Sequence, residues 1–335
     1  MKTLIADHNL VVELLPMAEA IEVMADALRM LASGDAVLPL RQMVRLPEGD
    51  SLLALMPACL GGIRAMGAKV MAVVPRTPSS EYDSHVGVVL LFDTEHGLLR
   101  AIADGTTITA IRTAAVSGLA TRLLARPDAG DLALIGAGTQ ARTHLQAMRC
   151  VRDIRRVRVY SRPLDGAYRF AERESARHGL PIEVVESAAQ AVAGADIICT
   201  VTTAHTPVVF GEWIAPGAHI NAVGAFRPTT RELDSAAVVR SRLYVDRRES
   251  ALSEAGEFLI PRSEGLINDE HIVGELGELL SGTVVGRRDP EEVTLFKSLG
   301  IAVEDLAALN HIYERAREQN IGTWLEIGGR HYGSL

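Results

Sequence analysis

Three cations and a pair of glycines carry most of the chemistry that this sequence offers. Lys69 lies in Gly67-Ala68-Lys69-Val70-Met71, among small and apolar neighbours that imply burial. A buried ammonium must be paired or give up proton affinity, which makes Lys69 a candidate proton donor. Arg112 sits in a helix-like run of small uncharged residues, Ile108-Thr109-Ala110-Ile111-Arg112-Thr113-Ala114-Ala115. A guanidinium there needs an anionic partner, and a substrate carboxylate or a cofactor phosphate would serve. Arg45 closes the strand-like Gln42–Leu46 run, where it could grip a carboxylate through two parallel hydrogen bonds. A surface ion pair is its alternative reading.

The glycines stand in Asp131–Ala141, DLALIGAGTQA. An apolar run stops at Gly136-Ala137-Gly138, and a helix-like segment follows. A buried strand feeding a glycine turn at a helix N-terminus is how a doubly wound fold holds a dinucleotide pyrophosphate. Gly136 permits the turn, Gly138 admits the phosphates to the backbone, and Ala141 lets helix pack on strand. The unpaired N–H groups of the helix then face the anion.

What must position these residues is a run of alternating strand and helix signals. Val157–Tyr160, Ile182–Val185, Asp196–Val201, Ala218–Val223 and Leu243–Val245 read as strands, with helices at Pro163–His178 and Ser187–Ala193. Such alternation implies an α/β, Rossmann-type, doubly wound parallel sheet. An NAD site places an acid about 20 residues past the glycines, on the ribose 2′-hydroxyl. Here that place reads Tyr160-Ser161-Arg162, with no acid. A hydroxyl and a guanidinium suit a 2′-phosphate, so NADP(H) is favoured and NAD(H) is the alternative. A solvated loop arginine is the bland reading of Arg162.

The residues before the glycine turn differ in texture. Leu15–Ala32 carries helical spacing between Pro16 and Gly34. Gln42–Leu46, Ser51–Met56 and Ala68–Val74 are strand-like; Gly87–Asp93 and Leu98–Asp104 read as a hairpin; Thr107–Arg126 and Ser298–Glu318 read as helices. The expected organisation is an α+β substrate and dimerisation domain, 1–117 with 302–335, and a dinucleotide-binding domain, 118–301. The tail Gly328–Leu335 is expected to be mobile.

The 335 residues, 48% hydrophobic and 23% charged, describe an ordinary globular chain rather than a disordered one. A net charge of −8 argues against a nucleic-acid surface. No apolar run reaches bilayer length and the N-terminus lacks a leader's apolar core, so no membrane association is expected and the cytoplasm follows by default. Cys59, Cys150 and Cys199 are scattered thiols, and the histidines lack ligand spacing, so no metal is expected.

Ile102–Leu124, the IGAGTQA turn, Val192–Thr202 (VAGADIICTVT), Pro216–Ala225 (PGAHINAVGA) and Val293–Asp305 (VTLFKSLGIAVED) together resemble the ornithine cyclodeaminase/mu-crystallin family. The resemblance runs from about Arg41 to the C-terminal helix. It implies nicotinamide chemistry at a carbon bearing an amine or imine, and pairing through the N-terminal domain into a homodimer. By resemblance, Arg45, Lys69 and Arg112 hold the substrate carboxylate and line the reacting centre. Ser84, His85, Thr113, Thr139, Gln140 and Thr202 match cofactor-contacting positions, while Val223 and Ser298 surround the nicotinamide. For His85, a structural role at a strand start is the competing reading, and Asp305 is expected to cap or pair within the last helix.

Three departures bear on the reaction. Phe226 stands where cyclodeaminases carry a catalytic Asp, Leu55 where they carry a Glu before Met56-Pro57, and Thr230 where a cofactor-contacting Lys is found. Phe cannot accept a proton, so cyclodeamination lacks its base. The Ala225-Phe226-Arg227-Pro228 pattern fits the ketimine-reductase side of the family. The expected activity is NAD(P)H-dependent reduction of a small imino acid such as pyrroline-2-carboxylate or piperideine-2-carboxylate, with hydride delivered to the imine carbon. The alternatives are an open-chain amino-acid dehydrogenase or imino-acid reductase (alanine, iminosuccinate), an ornithine cyclodeaminase, or a non-catalytic small-molecule binding protein.

Overall fold

A computed structural model describes residues 2–75 and 80–328; the tail expected to be mobile lies outside the described residues from 329 on. The chain divides into two compact units, Met1–Arg112 with Ile301–Leu335, and Thr113–Gly300.

The Thr113–Gly300 unit is built on an eight-stranded sheet in which every pairing is parallel. Its order across the sheet is Ile182–Val184, Arg156–Tyr160, Asp131–Ile135, Ile197–Thr200, His219–Ala222, Val293–Lys297, Ser241–Val245, Ile272–Glu275. Chain direction across the sheet reverses between Asp131–Ile135 and Ile197–Thr200, the switch point at which doubly wound folds bind ligands beyond the C-terminal strand ends. The strand interiors are continuous apolar runs because both faces are covered. Sequence patterning predicts no strand at Ile272–Glu275 or Val293–Lys297. The latter carries a lysine at its end, which patterning takes for solvent, although every residue of it is buried.

The other unit carries a second eight-stranded sheet, mostly antiparallel: Thr323–Leu325, Thr3–Ala6, Leu99–Asp104, His85–Asp93, Ala65–Val73, Leu52–Leu60, Ala36–Val37, with Gln42–Arg45 also paired to Leu52–Leu60. The expected hairpin is present, with Val88 opposite Asp104. One face is covered by the helix Ala302–Gln319, which packs across the three long strands and against the helix Met17–Ala32. Alternation along Leu52–Leu60 follows from this: Leu52, Ala54, Met56, Ala58 and Leu60 are buried, whereas Leu53 and Cys59 are exposed. The helix expected at Leu15–Ala32 runs from Met17 to Ala32 with Pro16 just before it, and a short helix that patterning does not predict, His8–Leu14 capped by Asp7, precedes it. The last helix starts at Ala302 rather than Ser298, because Asp246 holds Leu299 and Gly300 in a turn by their backbone N–H groups. No helix among the described residues is long and apolar enough to cross a membrane.

Candidate active site

Two constellations emerge, one in each unit. In the first, strand pairing places Lys69 directly between Met56 and Val89 on the helix-covered face. Lys69 is buried, with Nζ 3.1 Å from both carboxylate oxygens of Asp305 and donating to Thr109 Oγ1 at 3.2 Å. The Thr109 hydroxyl spends its own proton on Gly105 O, one turn back, so it is free to accept. Arg112, one helical turn beyond Thr109, donates through Nε to Asp305 at 2.9 Å and through Nη1 to Glu304 at 2.7 Å. Both carboxylates are buried in the first turn of Ala302–Gln319, where the helix dipole also favours negative charge. Burial, joined by the charges of Arg112 and Arg41 and opposed by Asp305, brings the Lys69 ammonium down to about 8.

These contacts revise the reading of three residues. Arg112 has two anions within the chain, Asp305 and Glu304, before any ligand adds to them. Asp305 does not pair within its own helix; it is the residue that ties Lys69 to Arg112. Arg45 is exposed at the end of Gln42–Arg45, opposite Leu52. It shares a sheet face with Lys69 but stands four residues along the strand from it, about 13 Å at strand rise. Continuing that register one residue back places Arg41 opposite Met56, the neighbour of Lys69. Arg41 is half-buried and its charge acts on Lys69. Register thus brings Arg41, which the sequence reading passes over, nearer to Lys69 along the strands than Arg45.

On the same sheet, Ser84 Oγ and His85 Nδ1 lie 2.9 Å apart, and His85 is fixed by its backbone to Asp83 and Thr106. Met56 faces Lys69, so Leu55, which replaces the cyclodeaminase Glu, points to the opposite face.

The second constellation lies along the C-terminal ends of the parallel strands. Gly136 has φ +116°, and a Cβ there would meet Val201 O at 2.6 Å, so only glycine makes this turn. A Cβ on Gly138 would meet no protein atom within 4 Å, so packing within the protein does not require glycine there. Among the described residues, Gly138 begins the helix Thr139–Val151 without a side-chain cap, and Gln140 Oε1 is buried with no hydrogen-bond partner. An anionic ligand at this helix start would meet unpaired N–H groups and an uncrowded backbone; the residues present fit a dinucleotide pyrophosphate. Ala141 is fully buried, as helix-on-strand packing requires.

Sheet order arranges the remaining residues in a line. Ser161 and Arg162 follow the strand beside Asp131–Ile135, and Gly136 N donates to Tyr160 O at 2.8 Å. On the other side come Thr202, Val223 and Ser298, each just past its strand. From Arg156–Tyr160 to Val293–Lys297 there are four strand spacings, about 19 Å. Arg162 is exposed, with Nε donating to Tyr160 Oη at 2.9 Å, and Ser161 Oγ donates to Pro163 O at 3.1 Å. Thr113 is buried in the helix Gly105–Leu124. Phe226 packs against the core of this unit with the Arg227 guanidinium 5.7 Å from its ring centroid, so no carboxylate occupies that place.

Beneath this line lies a network that the sequence reading missed. Buried Glu232 accepts from Thr202 N–H, Gly224 N–H and the Thr200 hydroxyl; buried Lys297 and Glu257 form an ion pair at 3.3 Å. The only signal for Lys297 was a charge ending the apolar Val293–Phe296 run.

A family model described as the ornithine cyclodeaminase/mu-crystallin family matches residues 1–320. The chain is 41% identical over 281 residues to the ketimine reductase mu-crystallin of Mus musculus, covering 84% of this chain and 86% of that protein. The solved structure of Thermococcus litoralis Delta(1)-pyrroline-2-carboxylate reductase with NADH and L-proline superposes with a TM-score of 0.93, at 40% identity and covering 96% of this chain and 99% of that one. An archaeal alanine dehydrogenase dimer with bound NAD superposes with a TM-score of 0.91, at 32% identity and covering 98% and 100%.

Proposed function

The chain belongs to the ornithine cyclodeaminase/mu-crystallin family, and from that premise we propose that it is an NAD(P)H-dependent reductase of small imino acids such as pyrroline-2-carboxylate. The observation that carries this reading is the gathering of cations around buried Lys69. Arg112 shares Asp305 with it, and the charge of Arg41 also acts there. A substrate carboxylate is the anion that such a group of cations can take. Arg41 and the outer edge of the Arg112 guanidinium hold it, with Asp305 and Glu304 fixing that guanidinium from behind.

Lys69 is the proton donor to the imine nitrogen, directly or through a water that it orders. With a pKa of about 8 it is largely protonated at neutral pH and close enough to the working pH to release its proton readily. When bound, the nicotinamide supplies the hydride to the imine carbon. Holding and orienting the anion is the protein's main contribution. Phe226 removes the base that cyclodeamination needs, which turns the reading away from an ornithine cyclodeaminase.

The cofactor runs along the strand ends, with Gly136, Gly138, Thr139 and Gln140 at its pyrophosphate. Ser161 and Arg162 favour NADP(H), since no acid follows Tyr160 and an exposed guanidinium can reach a 2′-phosphate. A second copy of the chain covers the open face of the antiparallel sheet, where Val44, Leu53 and Val86 stand in one row at 60%, 40% and 45% exposure with Val88 beside them. A monomeric mass at micromolar concentration would contradict that homodimer.

The test is oxidation of NADPH and NADH with pyrroline-2-carboxylate, piperideine-2-carboxylate, and pyruvate or oxaloacetate with ammonia. Turnover of a cyclic imino acid, faster with NADPH, is expected. Turnover of only the open-chain substrates, or of none, would refute the reading.

A further inference from the structure

The line of strand ends has two halves, and they are held differently. The half bearing Ser161, Arg162 and Gly136–Gln140 presents ordinary turn and helix-start backbone. The half bearing Thr202, Val223 and Ser298 is fastened from below by buried charge. Glu232 Oε1 accepts Thr202 N–H at 2.7 Å, and Oε2 accepts Gly224 N–H at 2.7 Å and the Thr200 hydroxyl at 2.8 Å. Lys297 Nζ donates to Ala222 O at 3.2 Å and Ala225 O at 2.5 Å, gripping the carbonyls on either side of Val223-Gly224. Glu257 joins the two groups: Oε1 accepts Glu232 N–H at 2.9 Å and Oε2 lies 3.3 Å from Lys297 Nζ. Nor is there slack between the loops. A Cβ on Gly224 would fall 2.1 Å from Thr202 O and 2.5 Å from Glu232 Oε1.

We propose that Glu232 is the positioning residue of the nicotinamide half of the cofactor site, locking the Thr202 and Val223-Gly224 loops into one rigid wall through their backbone N–H groups. The assignment of halves follows from the fold: the 2′ position of the adenosine ribose is read past the second strand and the pyrophosphate sits at the glycine turn, which leaves the far side of the switch point to the nicotinamide. The proposal rests on the dinucleotide reading given above. Glu232 does this as an acceptor only. Its two oxygens meet three donors, so an amide in its place would turn an NH2 group toward a backbone or hydroxyl donor.

The experiment compares NADH with ADP-ribose, which lacks the nicotinamide, as ligands of the wild type and Glu232→Gln, with dissociation constants from calorimetry and melting temperatures beside them. Loss of a charge-assisted hydrogen bond to a desolvated carboxylate predicts NADH binding weakened about tenfold or more. ADP-ribose affinity is expected to hold within about twofold, because its contacts lie in the other half. Should Glu232→Gln fail to fold, Thr200→Val removes one of the three donors and reads the same split, at about threefold. Glu232→Asp, which keeps the charge but shortens the reach, should fall between wild type and the amide. Equal loss of both ligands would make Glu232 a general structural residue and overturn the proposal, as would unchanged NADH binding. If the wild type binds neither these ligands nor NADPH, the dinucleotide reading itself fails.

Discussion

Lys69 and Lys297 sit in buried ionic clusters of similar make-up and different bonding. Around Lys69, Arg112 shares Asp305 with it and also pairs with Glu304, while the charge of Arg41 acts on the ammonium. Around Lys297, the ammonium pairs with Glu257, which also accepts the backbone N–H of Glu232. Burial works against charge in both places: it is the main cause that lowers the Lys69 ammonium to about 8 and that raises Glu232 above the ordinary carboxylate range, with Glu257 adding to the rise. The difference lies in what holds each group. Glu232 receives three hydrogen-bond donors from its own unit, two of them backbone N–H groups of loops, whereas Lys69 has a hydroxyl and a carboxylate that it must share with Arg112. The first arrangement fastens backbone; the second gathers cations, the arrangement that the proposed function uses to hold an anion.

The largest expected effect separates the two lysines. Lys69→Met should lower kcat by about 10²–10⁴, the usual worth of a positioned proton donor, with no loss of stability at neutral pH, because the cost of burying the ammonium goes with it and Asp305 keeps Arg112. Lys297→Met should instead leave Glu257 without its cation and destabilise the fold by about 3–5 kcal/mol. Steady-state kinetics and urea melts on both variants would break the comparison if Lys297→Met lost only kcat, or if Lys69→Met lost mainly stability.

A smaller effect sharpens the same contrast through pH. The unfolded chain holds the Lys69 proton up to its ordinary value of 10.5, the folded chain only to about 8. Below about 8 both states are protonated and the cost of the buried ammonium is carried in full. Between about 8 and 10.5 the unfolded chain binds a proton that the folded one has released, so this group makes stability rise with pH. Activity should move the other way, falling by up to about tenfold per pH unit above 8 as the donor is lost. Lys69→Met should abolish the stability gain measured against wild type in urea melts; its persistence would assign the gain to another group.

Much of this could be read from residues. Apolar runs broken at glycine turns marked out the nucleotide unit, and the small neighbours of Lys69 and Arg112 announced burial. What could not be read was pairing across long sequence distances. Asp305 is 236 residues from the Lys69 that it binds, and in sequence it is only an acid in a helix's first turn, where capping is the ordinary reading. Arg41 and Arg45 differ by one helical turn in number, but in a paired strand that difference decides which lies beside Lys69. Lys297 was hidden by the rule that charge marks solvent, since the carbonyls that accept from it belong to another strand's end.

The central claim is that the cations gathered around Lys69 hold a substrate carboxylate. Its most direct test is kcat/KM for pyrroline-2-carboxylate against the matching carboxamide, in wild type, Arg41→Met and Arg45→Met. A charge-assisted contact in a desolvated site is worth about 2–5 kcal/mol, so the wild type should prefer the carboxylate by tens to thousands of times. Arg41→Met should lose most of that preference and Arg45→Met should keep it. Equal use of acid and amide by the wild type would contradict the claim outright.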